Sequence, residues 1–242
     1  MRRLIQCSAI ALFSLTTSLV YAENGGYDYT KEDLSGYTLQ PNFKVDDEDY
    51  PFARNGHSFY FFGGYMYTYR FLSDDTKKLT NGSNDSITFV PSTALPNSFN
   101  ALEVAAGKEC TQHLDVQVAY IQQFSETKTT GAAATRLNSS VKMTGLLGDI
   151  LFVFDPDEQF QVGAKLGAML SEFYYTFTYG SSSTSYYPLS QNTKIDPAVG
   201  LDFLMQFSKH TGIRLDTVYV ADIQNNNSHG ELNTTIGLNY IL

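Results

Sequence analysis

The chain has 242 residues and a net charge of −9, and charged residues make up 17% of it. Soluble proteins usually carry roughly 25% charged residues, so this chain is unusually poor in charge. The acidic balance excludes a nucleic-acid-binding role, and no stretch after residue 22 has the roughly 18 apolar residues that a membrane-spanning helix needs.

Residues 1–22 have the features of a secretory signal peptide. Two arginines follow Met1, an apolar stretch runs to Val20, and the small residue Ala22 suits cleavage. A membrane anchor is the alternative, but the apolar stretch is short and interrupted by polar residues. We therefore expect an exported protein whose mature chain begins near Glu23.

Residues 23–56 differ in composition from residues 57–242. They carry eight acidic residues against three basic ones, and Pro41 and Pro51 interrupt them. Their poor periodicity predicts a poorly ordered, solvated segment in the periplasm. The alternative is a segment whose aromatic residues anchor it into or against one end of the domain formed by residues 57–242.

From residue 58 onward, apolar and other residues alternate with period two, which is typical of β-strands with one apolar face. The last strand is an example, because Leu232, Ile236, Leu238 and Tyr240 share one face. The pattern predicts eight strands, at 58–71, 99–107, 113–126, 138–154, 159–179, 193–207, 212–223 and 232–242.

Two predicted strands contain irregularities. In the fourth, Val141 and Met143 fall on the opposite face from Leu146 and Ile150, which suggests a bulge. In the sixth, Pro197 cannot donate a ladder hydrogen bond, so it indicates either a bulge or a later start of the strand.

The connections between strands alternate in length. Those after strands one, three, five and seven are long and polar, and they cover 73–97, 127–136, 180–191 and 224–230. Those after strands two, four and six are tight turns. An even number of strands with one short and one long set of connections is typical of transmembrane β-barrels of bacterial outer membranes. The sequence therefore predicts an all-β, closed, antiparallel, up-and-down barrel in which the last strand pairs with the first.

The chain resembles the eight-stranded outer-membrane β-barrel family of OmpA-like and opacity-like surface antigens over residues 58–242. The resemblance implies insertion in outer-membrane lipid, recognition of the C-terminal strand by the barrel-assembly machinery, and external loops that contact a host or surface partner. Members of this family usually end in phenylalanine, whereas this chain ends in Leu242.

If the apolar face meets lipid, seven charged residues face the barrel interior and form an ionic layer in its periplasmic half. They are Glu103, Asp115, Asp149, Lys165, Asp202, Arg214 and Asp216. Buried charges must be paired or hydrated. A structural salt-bridge network that fills the barrel is the favoured interpretation, because eight strands leave room for little more than side chains. The alternative is an acidic constriction in a small channel.

Signals for chemistry are weak. Ser228, His229 and Glu231 lie close together in sequence, but contiguous loop residues do not make a catalytic triad without geometry. No motif predicts a cofactor or a metal, so we expect neither. After signal cleavage Cys110 is alone, which rules out a disulfide within the mature chain.

The sequence thus predicts a non-enzymatic outer-membrane protein with an envelope-structural or surface-interaction role. A small channel or carrier for ions or solutes is the second hypothesis. An enzyme is the third and least favoured hypothesis. A different class is a soluble, lipocalin-like ligand-binding barrel with its apolar face inward, since periodicity alone does not say which face is inside.

Overall fold

The structure is a computed structural model that describes residues 52, 54, 56–80, 86–132, 136–179, 184–223 and 228–242. The side chains of 79, 80 and 184–192 are not among the described parts. All described residues belong to one compact unit, residues 51–242. The predictions for the signal peptide and for residues 23–51 lie outside the described residues.

The described chain is almost entirely β-structure, with one short helix. The elements are β1 (Phe59–Leu72), β2 (Lys77–Thr80), β3 (Ser86–Phe89), α1 (Pro91–Ala94), β4 (Ser98–Glu109), β5 (Leu114–Gln123), β6 (Glu126–Thr130), β7 (Leu137–Val153), β8 (Phe160–Tyr179), β9 (Thr184–Gln206), β10 (Thr211–Ala221) and β11 (Ser228–Ile241). No helix in this described part is long or apolar enough to cross a membrane.

The main sheet closes on itself. Its order is β5-β4-β1-β11-β10-β9-β8-β7-β6, and β5 also pairs with β7. Because β5 and β6 pair with successive parts of β7, they act as one interrupted strand, and the barrel has eight antiparallel strands. The predicted pairing of the first and last strands is confirmed, from Tyr60↔Ile241 to Arg70↔Glu231.

The barrel has two unlike ends. At the short-turn end, tight turns join β4 to β5, β7 to β8 and β9 to β10, and both the start of β1 and the end of β11 lie there. At the loop end, β6 to β9 extend beyond the other strands as a tall wall. A small hairpin of β2 and β3, followed by α1, lies in the first long connection.

Outside the loop half, the apolar face of the barrel strands points outward. Large apolar side chains such as Phe61, Leu166 and Leu238 are exposed, with 65% exposure for Leu166 and 70% for Leu238. The alternate residues point inward and are buried, including charged ones such as Lys165 and Arg214. The interior of the short-turn half therefore holds charged side chains, and the outer surface carries a continuous apolar belt.

The bulge predicted in the fourth strand is wrong. The register of β7 with β8 is continuous from Leu137↔Tyr179 to Val153↔Gly163. Val141 and Met143 point inward because the interior of the loop half is apolar, so their phase matches that of the rest of the strand.

Pro197 lies inside β9 without interrupting it. It pairs with Ala168 on β8 but stands just beyond the last pair with β10, which joins Ala198 to Val220. Pro197 thus lies where the strand has become an edge, which is where proline is tolerated.

The predicted loops are shorter in the structure than in the sequence prediction. Parts of them form β6, the first half of β9, the start of β11 and the β2–β3 hairpin. Among the described side chains above the apolar belt, those of β6, β7 and β8 that point outward are mostly polar. The hydrophobic contrast between the two faces is therefore lost there, although the strand pairing continues.

Candidate functional site

Six of the seven predicted interior charges lie together in the half of the barrel nearer the short-turn end. Lys165 Nζ donates a hydrogen bond to Asp216 Oδ2 and lies 4.0 Å from Asp202 Oδ2. Arg214 Nε donates to Asp202. On the far side, Thr235 Oγ1 donates to Glu103 Oε2 at 2.5 Å. We call this group the central cluster: Glu103, Asp149, Lys165, Asp202, Arg214 and Asp216.

Glycine on the neighbouring strand makes room for most members of the central cluster. The charged residue and its glycine are cross-strand partners in five pairs: Glu103↔Gly64, Arg214↔Gly237, Asp149↔Gly167, Lys165↔Gly200 and Asp202↔Gly163. With no side chain beside it, each charged group can lie across the barrel wall toward its partner. This device was missed in the sequence, because it becomes visible only once the register is known.

The central cluster carries more negative than positive charge. Four carboxylates face two cations, and all six side chains are buried. Both carboxylate oxygens of Asp149 are buried without a hydrogen-bond partner, as are Glu103 Oε1 and Asp216 Oδ1. Within the described ranges, no group of His, Cys, Asp and Glu side chains could hold a metal ion.

The seventh residue, Asp115, is paired with a residue ahead of β1 at the short-turn end. Arg54 Nη2 donates to Asp115 Oδ1, and Arg54 Nε donates to Glu109 Oε1 at 3.1 Å. Burial would lower the pKa of Arg54, but the two carboxylates outweigh it and raise the pKa, so the guanidinium stays charged. Asp115 therefore hydrogen-bonds to Arg54, although it lines the same cavity as Asp202 and Arg214.

Arg54 is part of a short stretch that lies across the short-turn end. We call Phe52, Arg54 and Gly56 the strap. The sequence placed them in a solvated leader, yet Arg54 is only 6% exposed. Glu109 was also missed, although it keeps the inward phase of Glu103 along β4 and could have been found by counting.

A second ionic group lies in the loop half. The Arg70 guanidinium stacks on Phe173 at 4.3 Å and lies 3.7 Å from Glu231 through its Nε. Lys194 lies over the same ring at 5.0 Å and binds Asp222 at 3.0 Å. These charges were not predicted, although Arg70, Lys194 and Asp222 keep the inward phase of predicted strands. Only Glu231 lies just before a predicted strand.

The loop end is covered by the β2–β3 hairpin and α1, which together we call the cap. Phe89 of the cap packs on Phe177 with ring centroids 5.4 Å apart. Lys128 Nζ donates to the carbonyl oxygens of Ser92 and Leu95, both at 3.1 Å. The cap continues an apolar core that fills the loop half of the barrel.

The described interior is therefore filled from end to end by the strap, the central cluster, the apolar core and the cap. A cavity between Arg54 and Arg214 has a volume of about 20 Å³, and one beside Phe173 has about 10 Å³. Such volumes hold about one water molecule each. The arrangement suits a rigid, closed barrel better than a conduit.

The residues considered for catalysis do not converge. Ser228 and Glu231 are buried, whereas His229 is exposed. Ser228 Oγ exchanges hydrogen bonds with the backbone of Gly230 instead. His113 and His210 bind backbone carbonyls, those of Val153 and Ile241, at the short-turn end.

Comparison with solved structures finds the same fold. The outer membrane protein OprG from Pseudomonas aeruginosa matches with a TM-score of 0.51 and 12% identity, over 78% of this chain and 98% of that one. The attachment invasion locus protein Ail of Yersinia pestis matches at 0.47 and 12%, over 77% and 99%. No family model and no curated protein matches the sequence. The resemblance to eight-stranded outer-membrane barrels is thus confirmed at the level of fold.

Proposed function

We propose that this eight-stranded barrel is an integral outer-membrane protein without enzymatic activity, a closed scaffold that presents its loop end outside the cell. The observation that carries the proposal is the difference in polarity between the outer and the inner face of the barrel wall. Across the belt the outward face of the strands is exposed and apolar, while charged side chains such as Lys165 and Arg214 are buried inside.

The outer surface suits a bilayer in two respects. A closed barrel satisfies its backbone hydrogen bonds without leaving an edge in lipid. Exposed aromatic side chains also lie toward both ends of the belt, where interfacial rings are stabilised. They are Phe59, Phe154, Phe160, Phe207 and Tyr240 at the short-turn end, and Tyr67, Tyr69, Phe71 and Tyr120 toward the loop end. The soluble, lipocalin-like alternative would need the reverse orientation of the faces.

Export and assembly fit the same proposal. The signal peptide predicted at residues 1–22 would carry the chain out of the cytoplasm. The short-turn end would then face the periplasm, and the assembly machinery would act on the C-terminal strand, which pairs with β1 up to Leu242 N donating to Phe59 O at 2.8 Å.

The loop end offers a surface for an external partner. Above the apolar belt, the described outer face of β6, β7 and β8 is polar, and hydroxyl and amide groups are frequent on it. Thr127, Thr129 and Thr176 are exposed there, and Thr129 Oγ1 donates to Asn138 Oδ1 at 2.7 Å. An envelope-structural or adhesive role requires only this outer surface, whereas a channel would need an open lumen.

Reconstitution in planar bilayers separates the scaffold from the channel. We expect the wild-type protein to insert and to show no steady conductance, because side chains fill its interior. Steady conductance that changes in Glu103→Ala or Asp202→Ala would contradict the scaffold and support the channel alternative. A large, open porin inserted under the same conditions is the positive control.

A further inference from the structure

The strap is fixed on both sides of the short-turn end. On one side, the Arg54 backbone nitrogen donates to the Pro156 carbonyl oxygen at 3.3 Å, in the turn between β7 and β8. On the other side, the Gly56 nitrogen donates to Glu109 Oε2 at 3.2 Å. The strap thus reaches from one short turn to another and brings the Arg54 side chain into the barrel mouth.

Gly56 makes this path possible. Its φ is +74°, and an added Cβ would lie 2.9 Å from the carbonyl carbon of Thr111. Only glycine tolerates both the backbone conformation and the close approach. The chain is therefore shaped at this point to deliver Arg54 to its carboxylate partners.

Two carboxylates of the barrel wall hold the guanidinium. Glu109 and Asp115 are 3% and 2% exposed, and each accepts a hydrogen bond from a different nitrogen of Arg54. A planar guanidinium suits such a pair because it presents several donors in a fixed geometry. Arg214, which lines the same cavity, is already engaged by Asp202.

Hydrogen-bond acceptors without a partner lie near the Arg54 guanidinium. The cavity of about 20 Å³ next to Arg54 is also lined by Gln161 and Asn239. Gln161 Oε1 and Asn239 Oδ1 are buried and have no hydrogen-bond partner. Leaving such atoms unpaired costs free energy, so a ligand that reaches them makes contacts that Arg54 does not make.

We propose that Glu109 and Asp115 form a guanidinium-binding site that Arg54 fills in cis, and that a guanidinium-bearing ligand entering from the short-turn end displaces the strap. The ligand is either a free guanidino compound or an arginine side chain of another protein. The site lies on the barrel strands and its occupant lies ahead of β1, so exchange leaves the barrel pairing intact. The site would be open to the periplasm if the barrel spans the outer membrane.

Limited trypsin digestion of the full-length wild-type protein in detergent micelles tests the exchange. Buried Arg54 is protected, whereas exposed Arg136 is a site that reports trypsin activity in the same tube. Methylguanidinium should raise the ratio of cleavage after Arg54 to cleavage after Arg136 several-fold. Tetramethylammonium at the same concentration, which has no donor hydrogens, should leave the ratio unchanged. A ratio that is equal in both salts overturns the proposal.

Chemical rescue of Arg54→Ala gives an independent test. This variant should melt several degrees below wild type, and millimolar methylguanidinium should restore most of the loss, while the control Arg136→Ala gains nothing. A blocked Gly-Arg-Gly peptide supplies the same group on a backbone, and the more effective of the two compounds identifies the source. If the variant refolds only with methylguanidinium present, the proposal is supported. Equal melting with and without either compound contradicts it.

Discussion

Lys165→Met is expected to destabilise the barrel by about 3–5 kcal/mol, because it leaves buried carboxylates without their cation. Lys165 is the hydrogen-bond donor to Asp216, and Asp149 already lacks any partner for its two oxygens. Methionine keeps the length of the side chain, so the loss reports charge rather than volume. The measurement is urea unfolding in detergent micelles, followed by the mobility of unheated samples on gels.

Two further variants serve as controls for the Lys165→Met measurement. Lys142→Met removes an exposed lysine from the outer side of β7 and should change the unfolding free energy by less than about 0.5 kcal/mol. The double variant Lys165→Met/Asp216→Asn removes both partners and should recover part of the loss. If Lys165→Met cost no more than Lys142→Met, the central cluster would not contribute to folding.

Gly107→Ala is expected to cost about 1–3 kcal/mol through overpacking. The Tyr60 ring lies on Gly107, and an added Cβ would overlap Tyr60 Cζ. The ring would have to move, which breaks the hydrogen bond from Tyr60 Oη to Gln117 Oε1 at 3.2 Å and disturbs Arg214 stacked on the ring at 5.4 Å. The same urea titration measures the loss.

The neighbouring strand offers the matched control. Gly63 points outward from β1, and a Cβ added there meets nothing within 4 Å. Gly63→Ala should therefore be neutral or slightly stabilising. In the double variant Gly107→Ala/Tyr60→Leu the smaller side chain frees the space, so the cost of the alanine should shrink. An equal cost in both backgrounds would show that Tyr60 is not the obstacle.

Much of the barrel could be predicted from the sequence, because period-two alternation persists over long strands. The fourth strand was predicted at 138–154 and is found at Leu137–Val153, and the seventh was predicted at 212–223 and is found at Thr211–Ala221. Closure followed from the same pattern, since the last strand needed a partner and β1 supplied it.

The sequence prediction failed where the hydrophobic contrast between the inward and outward faces of the strands changes. The outward residues of β6 are polar, and residues 180–191 are rich in serine, so the sequence predicts loops where β6 and the first half of β9 lie. Val141 and Met143 read as a bulge because a polar interior was assumed along the whole barrel, while the loop half is apolar. The hydrophobic pattern reports the environment of each face, and both environments change along the axis.

The site depended on contacts that no local pattern records. Arg54 finds Glu109 and Asp115 at separations of 55 and 61 residues, from a segment without periodicity. Each glycine opposite a charge is visible only through the register, as with Asp149↔Gly167. Parity along a strand identified which charges point inward, but it could not tell which of them meet.

Fluorescence quenching can locate the apolar belt in lipid, because the chain has no native tryptophan and each introduced one is the only reporter. Leu166, which is 65% exposed on the outward face, and Lys78, which is exposed on the hairpin of the cap, are each replaced by tryptophan in a separate variant. In vesicles of dibrominated phospholipid, we expect strong quenching of the tryptophan at position 166 and little at position 78. An unquenched tryptophan at position 166, in protein that stays soluble without detergent, would contradict a lipid-facing apolar belt.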